Sequence, residues 1–267
     1  MLEKLLEYGE SHGIGREDLI GLIQNKYRTC IGLRRLDMLK VLEDITGVKP
    51  SEEIVQEGIR EYVVNGWMIF LESLIEKTGI QPQLSEDIVQ RSYTNLVVNG
   101  RIDYLKRLME ITGIEPKLPE KVVQKGYRTI LDGIEEWGLK ELKEITGIQP
   151  NLPNGIVQKK YRDKVKDGYV NRVGILIEGT GILPSEKIVQ QGFRIYWEKG
   201  KLKEIKELSE VTGINPKISE SDVQERCKVY IKQGRLEDLR LLMEITGIQP
   251  SNEAYNMFLK YLINFKI

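Results

Sequence analysis

A chain of 267 residues is long enough for one or two globular domains or for one continuous array of repeats. Forty Lys and Arg balance forty Asp and Glu, so net charge alone implies no attraction to nucleic acid or to a membrane surface. Two cysteines, Cys30 and Cys227, make no disulfide framework and point to a reducing compartment. No apolar run approaches the roughly 18 residues of a membrane span, and acid at Glu3 comes too early for a secretory signal. Together these features predict a cytoplasmic, monomeric protein with no membrane part.

Residues 1–11 read as a short helix with Leu2, Leu5 and Leu6 on one face. His12-Gly13-Ile14 follows, and from there one phrase organises the chain. Thr-Gly-Ile/Val-x-Pro begins at Thr46, Thr78, Thr112, Thr146, Thr180, Thr212 and Thr246, at intervals of 32 or 34 residues. A fixed period of this size marks a solenoid of stacked helical units. The expected fold is therefore all-α, a single domain over residues 1–267. It is an α-solenoid of seven helix-turn-helix repeats with a half repeat at each end.

A glutamine lies 22 residues before each of these threonines: Gln24, Gln56, Gln90, Gln124, Gln158, Gln190 and Gln224. Asn256 takes the place in the final half unit. All variation in length falls between a threonine and the next glutamine, which locates the inter-repeat loop. The first helix of each unit, helix A, runs from about four residues before the glutamine to nine after it. Ser51, Ser85, Ser185 and Ser219, each followed by Glu, are expected N-caps. Positions −1, +3 and +7 from the glutamine, such as Val89, Tyr93 and Val97, form one apolar face. Gly66, Gly100, Gly168, Gly200 and Gly234 mark the turn to helix B. The fourth unit departs from this, with Gly133 one place early and Trp137 beyond it.

Helix B covers about eleven residues and ends at the threonine, with a stripe such as Ile102, Leu105, Leu108 and Ile111 facing the core. The glycine after it supplies the left-handed conformation that closes a helix, and the proline prevents its resumption. The phrase thus reads as a stop signal.

Units such as Gly234–Pro250 resemble the second half of a pentatricopeptide repeat: glycine, a basic-apolar-acidic start, an apolar helix, then Gly-Ile-x-Pro. More weakly they are similar to the second helix of an ankyrin repeat, without its Thr-Pro-Leu-His phrase. Helix B is shorter than in pentatricopeptide repeats. The resemblance implies a right-handed solenoid whose A helices line the inner surface, and single-stranded RNA bound at one base per repeat.

Catalysis is not expected. His12 stands alone at a helix stop, and the chain has no Cys–His pair, zinc-ligand pattern or Gly-rich phosphate loop, so no cofactor or metal is expected. Binding residues are expected on helix A. Four residues after the glutamine come Arg28, Arg60, Thr94, Arg128, Arg162, Arg194 and Lys228. Two residues before each threonine stands an acid, including Asp44, Glu110, Glu144, Glu178 and Glu244. Either each arginine pairs with such an acid in a salt-bridge ladder, or the arginines form a basic stripe.

The glutamines, Gln90, Gln124 and Gln158 among them, either bond from unit to unit as an amide ladder or touch a ligand. One residue further on, Lys125 and Lys159 belong to an exposed position whose identity varies along the array. From each glutamine to nine residues on there are sixteen Lys/Arg against seven Asp/Glu, so the helix A row is basic within a neutral chain. Two partners fit this row: single-stranded RNA, or an acidic protein segment.

Overall fold

The computed structural model describes residues 2–133 and 136–264, without the side chains of 2, 5, 6, 9 and 261–264. The expected apolar face of Leu2, Leu5 and Leu6 therefore lies outside the described side chains. The described residues are helical with intervening turns. The helices are α1 (Leu2–Ser11), α2 (Arg16–Gly32), α3 (Asp37–Thr46), α4 (Glu52–Asn65), α5 (Met68–Thr78), α6 (Glu86–Val98), α7 (Ile102–Thr112) and α8 (Glu120–Asp132). They continue as α9 (Gly138–Thr146), α10 (Asn154–Asp167), α11 (Val170–Thr180), α12 (Glu186–Glu198), α13 (Leu202–Thr212), α14 (Glu220–Lys232), α15 (Leu236–Thr246) and α16 (Asn252–Asn264). From α2 to α15 these are the seven expected hairpins. Even-numbered helices from α2 are the A helices and odd-numbered ones from α3 the B helices. The fold is an α-solenoid of helical hairpins.

The chain divides into two compact units, Met1–Ile130 with Glu144–Ile148, and Leu131–Lys143 with Gln149–Ile267. In the first, α2, α4 and α6 each pack on their own B helix; α2 also packs on α4, α4 on α6, and α5 on α7. In the second, α10, α12 and α14 pair with their B helices in the same way; α10 also packs on α12, α14 on α16, α11 on α13, and α13 on α15. Each unit is thus a layer of A helices against a layer of B helices, with the core between. The −1, +3 and +7 positions fill it: Val89, Tyr93, Val97, Val157, Tyr161 and Val165 are all buried.

Each helix B stops as its sequence dictates. The seven Thr-Gly glycines have φ between 64 and 70°. At Gly113 the N–H donates to the Met109 carbonyl at 2.8 Å, the single bond of a left-handed cap. A Cβ built on Gly113 would meet nothing within 4 Å, so backbone conformation, not space, requires glycine there. The threonine has its own task. Thr112 Oγ1 donates to the Leu108 carbonyl at 2.7 Å and accepts the Ile114 N–H at 3.3 Å, carrying the chain out of the helix. His12 does a related job after α1, its Nδ1 lying 2.9 Å from the Tyr8 carbonyl.

Between the helices of a hairpin the expected glycines also have positive φ, and in the first unit Arg34 takes the same place with φ 59°. Its guanidinium lies over the Trp67 ring at 4.3 Å, a contact that holds the residue there. The serine caps are met in part. Ser51 and Ser219 accept the N–H three residues on, whereas Ser85 and Ser185 occupy the cap position without a side-chain bond.

Tyrosines are placed by a rule. Tyr27, Tyr93, Tyr127 and Tyr161 stand at +3 and donate to the carbonyl of the isoleucine or valine in their own loop. Where +3 has no hydroxyl, as at Ile59 and Phe193, the tyrosine sits at +6. Tyr62 and Tyr196 then reach back to the Ile31 and Val165 carbonyls of the preceding helix A. Burial raises the hydroxyls of Tyr62, Tyr127, Tyr161 and Tyr196 to a pKa of about 12.

Candidate functional site

The candidate site is the solvent face of the A helices, and its frame is set by the glutamines. Gln90 Nε2 donates to the Glu115 carbonyl at 2.7 Å, and its Oε1 accepts the Lys117 N–H at 2.7 Å. Gln158 does the same with Leu183 and Ser185, at 2.8 and 2.7 Å. Gln24, Gln56, Gln190 and Gln224 repeat the pattern. Gln124 is engaged as well. The unit-to-unit amide ladder is thus replaced by a clamp: Gln24, Gln56, Gln90, Gln158, Gln190 and Gln224 each fasten the loop that leaves their own hairpin. The donor and acceptor stand two residues apart on that loop, which matches one side-chain amide and explains the constant spacing of 22.

The arginine row is exposed. Arg28 pairs with Glu57 on the next helix A at 2.9 Å, and Lys228 with Glu253 at 2.5 Å. Arg60, Arg128, Arg162 and Arg194 are exposed and make no ion pair among the described residues. The predicted ladder with the helix B acids is therefore corrected. Glu178 is held by Lys140 at 2.9 Å and Glu244 by Lys206 at 2.6 Å, while Asp44 meets Lys40 at 3.0 Å. The physical reason is reach: these three acids find lysines of the B layer, on the same helix for Asp44 and on an adjacent helix B for Glu178 and Glu244. Lys125 and Lys159 are exposed beside their glutamines. The first unit thus offers Arg60, Lys125 and Arg128 to solvent, and the second offers Lys159, Arg162 and Arg194.

Two features escaped the sequence reading. The first is Glu136, whose side chain is only 1% exposed. It stands twelve residues after Gln124, where other units bury Met68, Ile102, Val170 and Leu202. Lys164 lies 2.6 Å from Oε1, Arg172 Nη1 donates to Oε2 at 2.9 Å, and Lys160 lies 3.9 Å away. Lys160 also donates to the Gly133 carbonyl at 2.9 Å. Part of the lysine concentration in α10 is thus committed inward, leaving Lys159, Arg162 and Lys166 exposed. A polar residue at an otherwise apolar register position was the signal available in the sequence.

The second is Trp197, half-buried on α12, with the Arg226 guanidinium over its ring at 4.8 Å. Its place at +7, otherwise a core position, concealed it.

Among the described residues no helix is long and apolar enough to cross a membrane. A family model described as a SAM-like helix-hairpin-helix tandem matches residues 105–151, from within α7 to just beyond α9. The match includes two of the helix-stop phrases, Thr112-Gly113-Ile114 and Thr146-Gly147-Ile148. No curated protein matches the chain. The helical-repeat character of the protein agrees with this match and with the fold; neither one singles out pentatricopeptide or ankyrin repeats.

Proposed function

We propose that the protein is a non-enzymatic nucleic-acid-binding repeat protein that holds single-stranded RNA through the exposed faces of its A helices. The observation that carries this is the state of the arginine row. Arg60, Arg128, Arg162 and Arg194 are exposed and unpaired among the described residues, while Glu178 and Glu244, two of the acids that could neutralise such a row, are held by Lys140 and Lys206 of the B layer. A guanidinium presents a fork of donors suited to phosphate oxygens. The frame beneath is held by six glutamines that each fix the loop of their own hairpin. Beside the row the +1 position varies from unit to unit, as in Lys125, Lys159 and Gln191. The helix-hairpin-helix likeness over residues 105–151 supports a nucleic-acid ligand, and the resemblance to pentatricopeptide repeats favours a single strand of RNA.

One observation favours a second reading, a scaffold that grips an acidic protein segment. Arg28 and Lys228 already donate to carboxylates, Glu57 and Glu253, at the same +4 position. The two readings separate in one experiment. Fluorescence anisotropy is recorded at low salt with a labelled single-stranded RNA and with a polyglutamate peptide of equal charge. The RNA-binding reading predicts at least tenfold tighter binding to the RNA. Preference for the peptide would establish the scaffold instead.

A further inference from the structure

In the second unit α12 packs closely on α10 because Gly192, two residues after its glutamine, has no side chain and leaves room for Val165. A Cβ there would stand 2.4 Å from Val165 Cγ1. In α14 the same position is Arg226. Its guanidinium stands over the Trp197 ring and donates to the Trp197 carbonyl at 3.0 Å. The backbones of α12 and α14 scarcely approach each other. Two clefts of about 350 and 230 Å³ open on this side, and Trp197 and Asp222 line both. Arg194 and Lys217 flank the larger cleft, and Glu225 the smaller.

We propose that Trp197 and Asp222 form a stacking site for one nucleobase of the bound strand, with guanine preferred. This rests on the nucleic-acid reading above. The half-buried indole, with Arg226 over one face, lines both clefts, and base stacking on such a ring is a main source of single-strand affinity. Asp222 Oδ2 accepts from Ser219 Oγ at 2.5 Å, and Oδ1 has no hydrogen bond among the described residues. An ionised carboxylate only accepts hydrogen bonds. Guanine presents two adjacent N–H donors on its Watson–Crick edge, whereas uracil, cytosine and adenine present a donor beside acceptors. Arg194, exposed and unpaired among the described residues, stands at the rim of the larger cleft, where a phosphate would follow the base.

The test uses Trp197 as reporter, in a Trp67→Phe/Trp137→Phe background that removes the other two tryptophans. Fluorescence is titrated with GMP, AMP, UMP and ribose 5-phosphate. GMP should quench at about tenfold lower concentration than UMP, the effect of one charge-assisted hydrogen bond. Ribose 5-phosphate should not quench, and Asp222→Asn should abolish the guanine preference. Equal quenching by all the nucleotides, or by the base-free sugar phosphate, overturns the proposal.

A second arm uses the otherwise unaltered chain, in case the background variant does not fold. Asp222→Asn should lose about tenfold in affinity for a guanine-containing RNA and nothing for a guanine-free one. If RNA binds and Asp222→Asn changes neither, the base site is overturned while the strand reading stands. If no RNA binds but GMP still quenches selectively, the strand reading fails and the nucleotide site remains.

Discussion

Glu136 Oε1 lies 2.6 Å from Lys164 Nζ, in a place where both neighbouring registers are apolar in other units. The contact is an ion pair without hydrogen-bond geometry at Oε1; Arg172 supplies the hydrogen bond at Oε2. A buried carboxylate of this kind is costly to leave unmatched, but the pair itself is seldom better than apolar packing. Glu136→Ala should therefore destabilise the protein by about 3 kcal/mol in urea denaturation, through stranded cations. Glu136→Leu combined with Lys164→Leu should recover most of that loss. A double variant no more stable than the single one would show that the charges are needed for a reason other than pairing.

The glutamine clamp makes a sharper local prediction. Gln158→Ala removes both bonds to the loop at Leu183 and Ser185 and strands their backbone groups. The expected loss is about 1–3 kcal/mol. Lys159→Ala, one residue away and exposed, should stay within about 0.5 kcal/mol of the parent. Thermal melts of the two variants side by side decide the matter; equal stabilities would contradict the clamp.

At Gly113, φ is +64° and the space around a Cβ is empty, so substitutions report conformational cost alone. Gly113→Val should cost on the order of 1 kcal/mol or more, and Gly113→Asn distinctly less, because asparagine tolerates the left-handed region. If both variants cost the same, sterics outside the backbone must be acting.

The buried tyrosines predict an alkaline limit. Burial holds the hydroxyls of Tyr62, Tyr127, Tyr161 and Tyr196 at a pKa of about 12 in the folded chain. In the unfolded chain they ionise near 10. Between those values the unfolded state has released protons that the folded state retains, so stability falls as pH rises. Unfolding followed by circular dichroism should begin above about pH 10 and coincide with the rise of tyrosinate absorbance. Ionisation completed well before helicity is lost would show these hydroxyls to be accessible.

The fold was legible because the repeat states its own geometry. The Thr-Gly-Ile-x-Pro phrase gives the end of each helix B, and the fixed distance from glutamine to threonine gives the hairpin. The −1, +3 and +7 positions give the buried face. The partners of polar side chains were less legible. The glutamine looked like a member of a lateral ladder, since sequence spacing does not reveal that a loop folds back over helix A. The helix B acids lay at a plausible distance from the arginines in sequence, but Asp44, Glu178 and Glu244 pair within their own layer. Glu136 and Trp197 occupy positions that are apolar elsewhere, and only packing shows that one is a buried ion and the other lines a cleft.

The most direct test of the central claim is the salt dependence of single-stranded RNA binding. Four phosphate contacts, one for each of Arg60, Arg128, Arg162 and Arg194, correspond to a log–log slope of about −3. Arg162→Ala and Arg194→Ala should each reduce the magnitude of that slope by about 0.7 while leaving the melting temperature unchanged, because neither side chain makes an ion pair among the described residues. A slope near zero, or arginine variants that lower stability and leave the slope unaltered, would contradict the account.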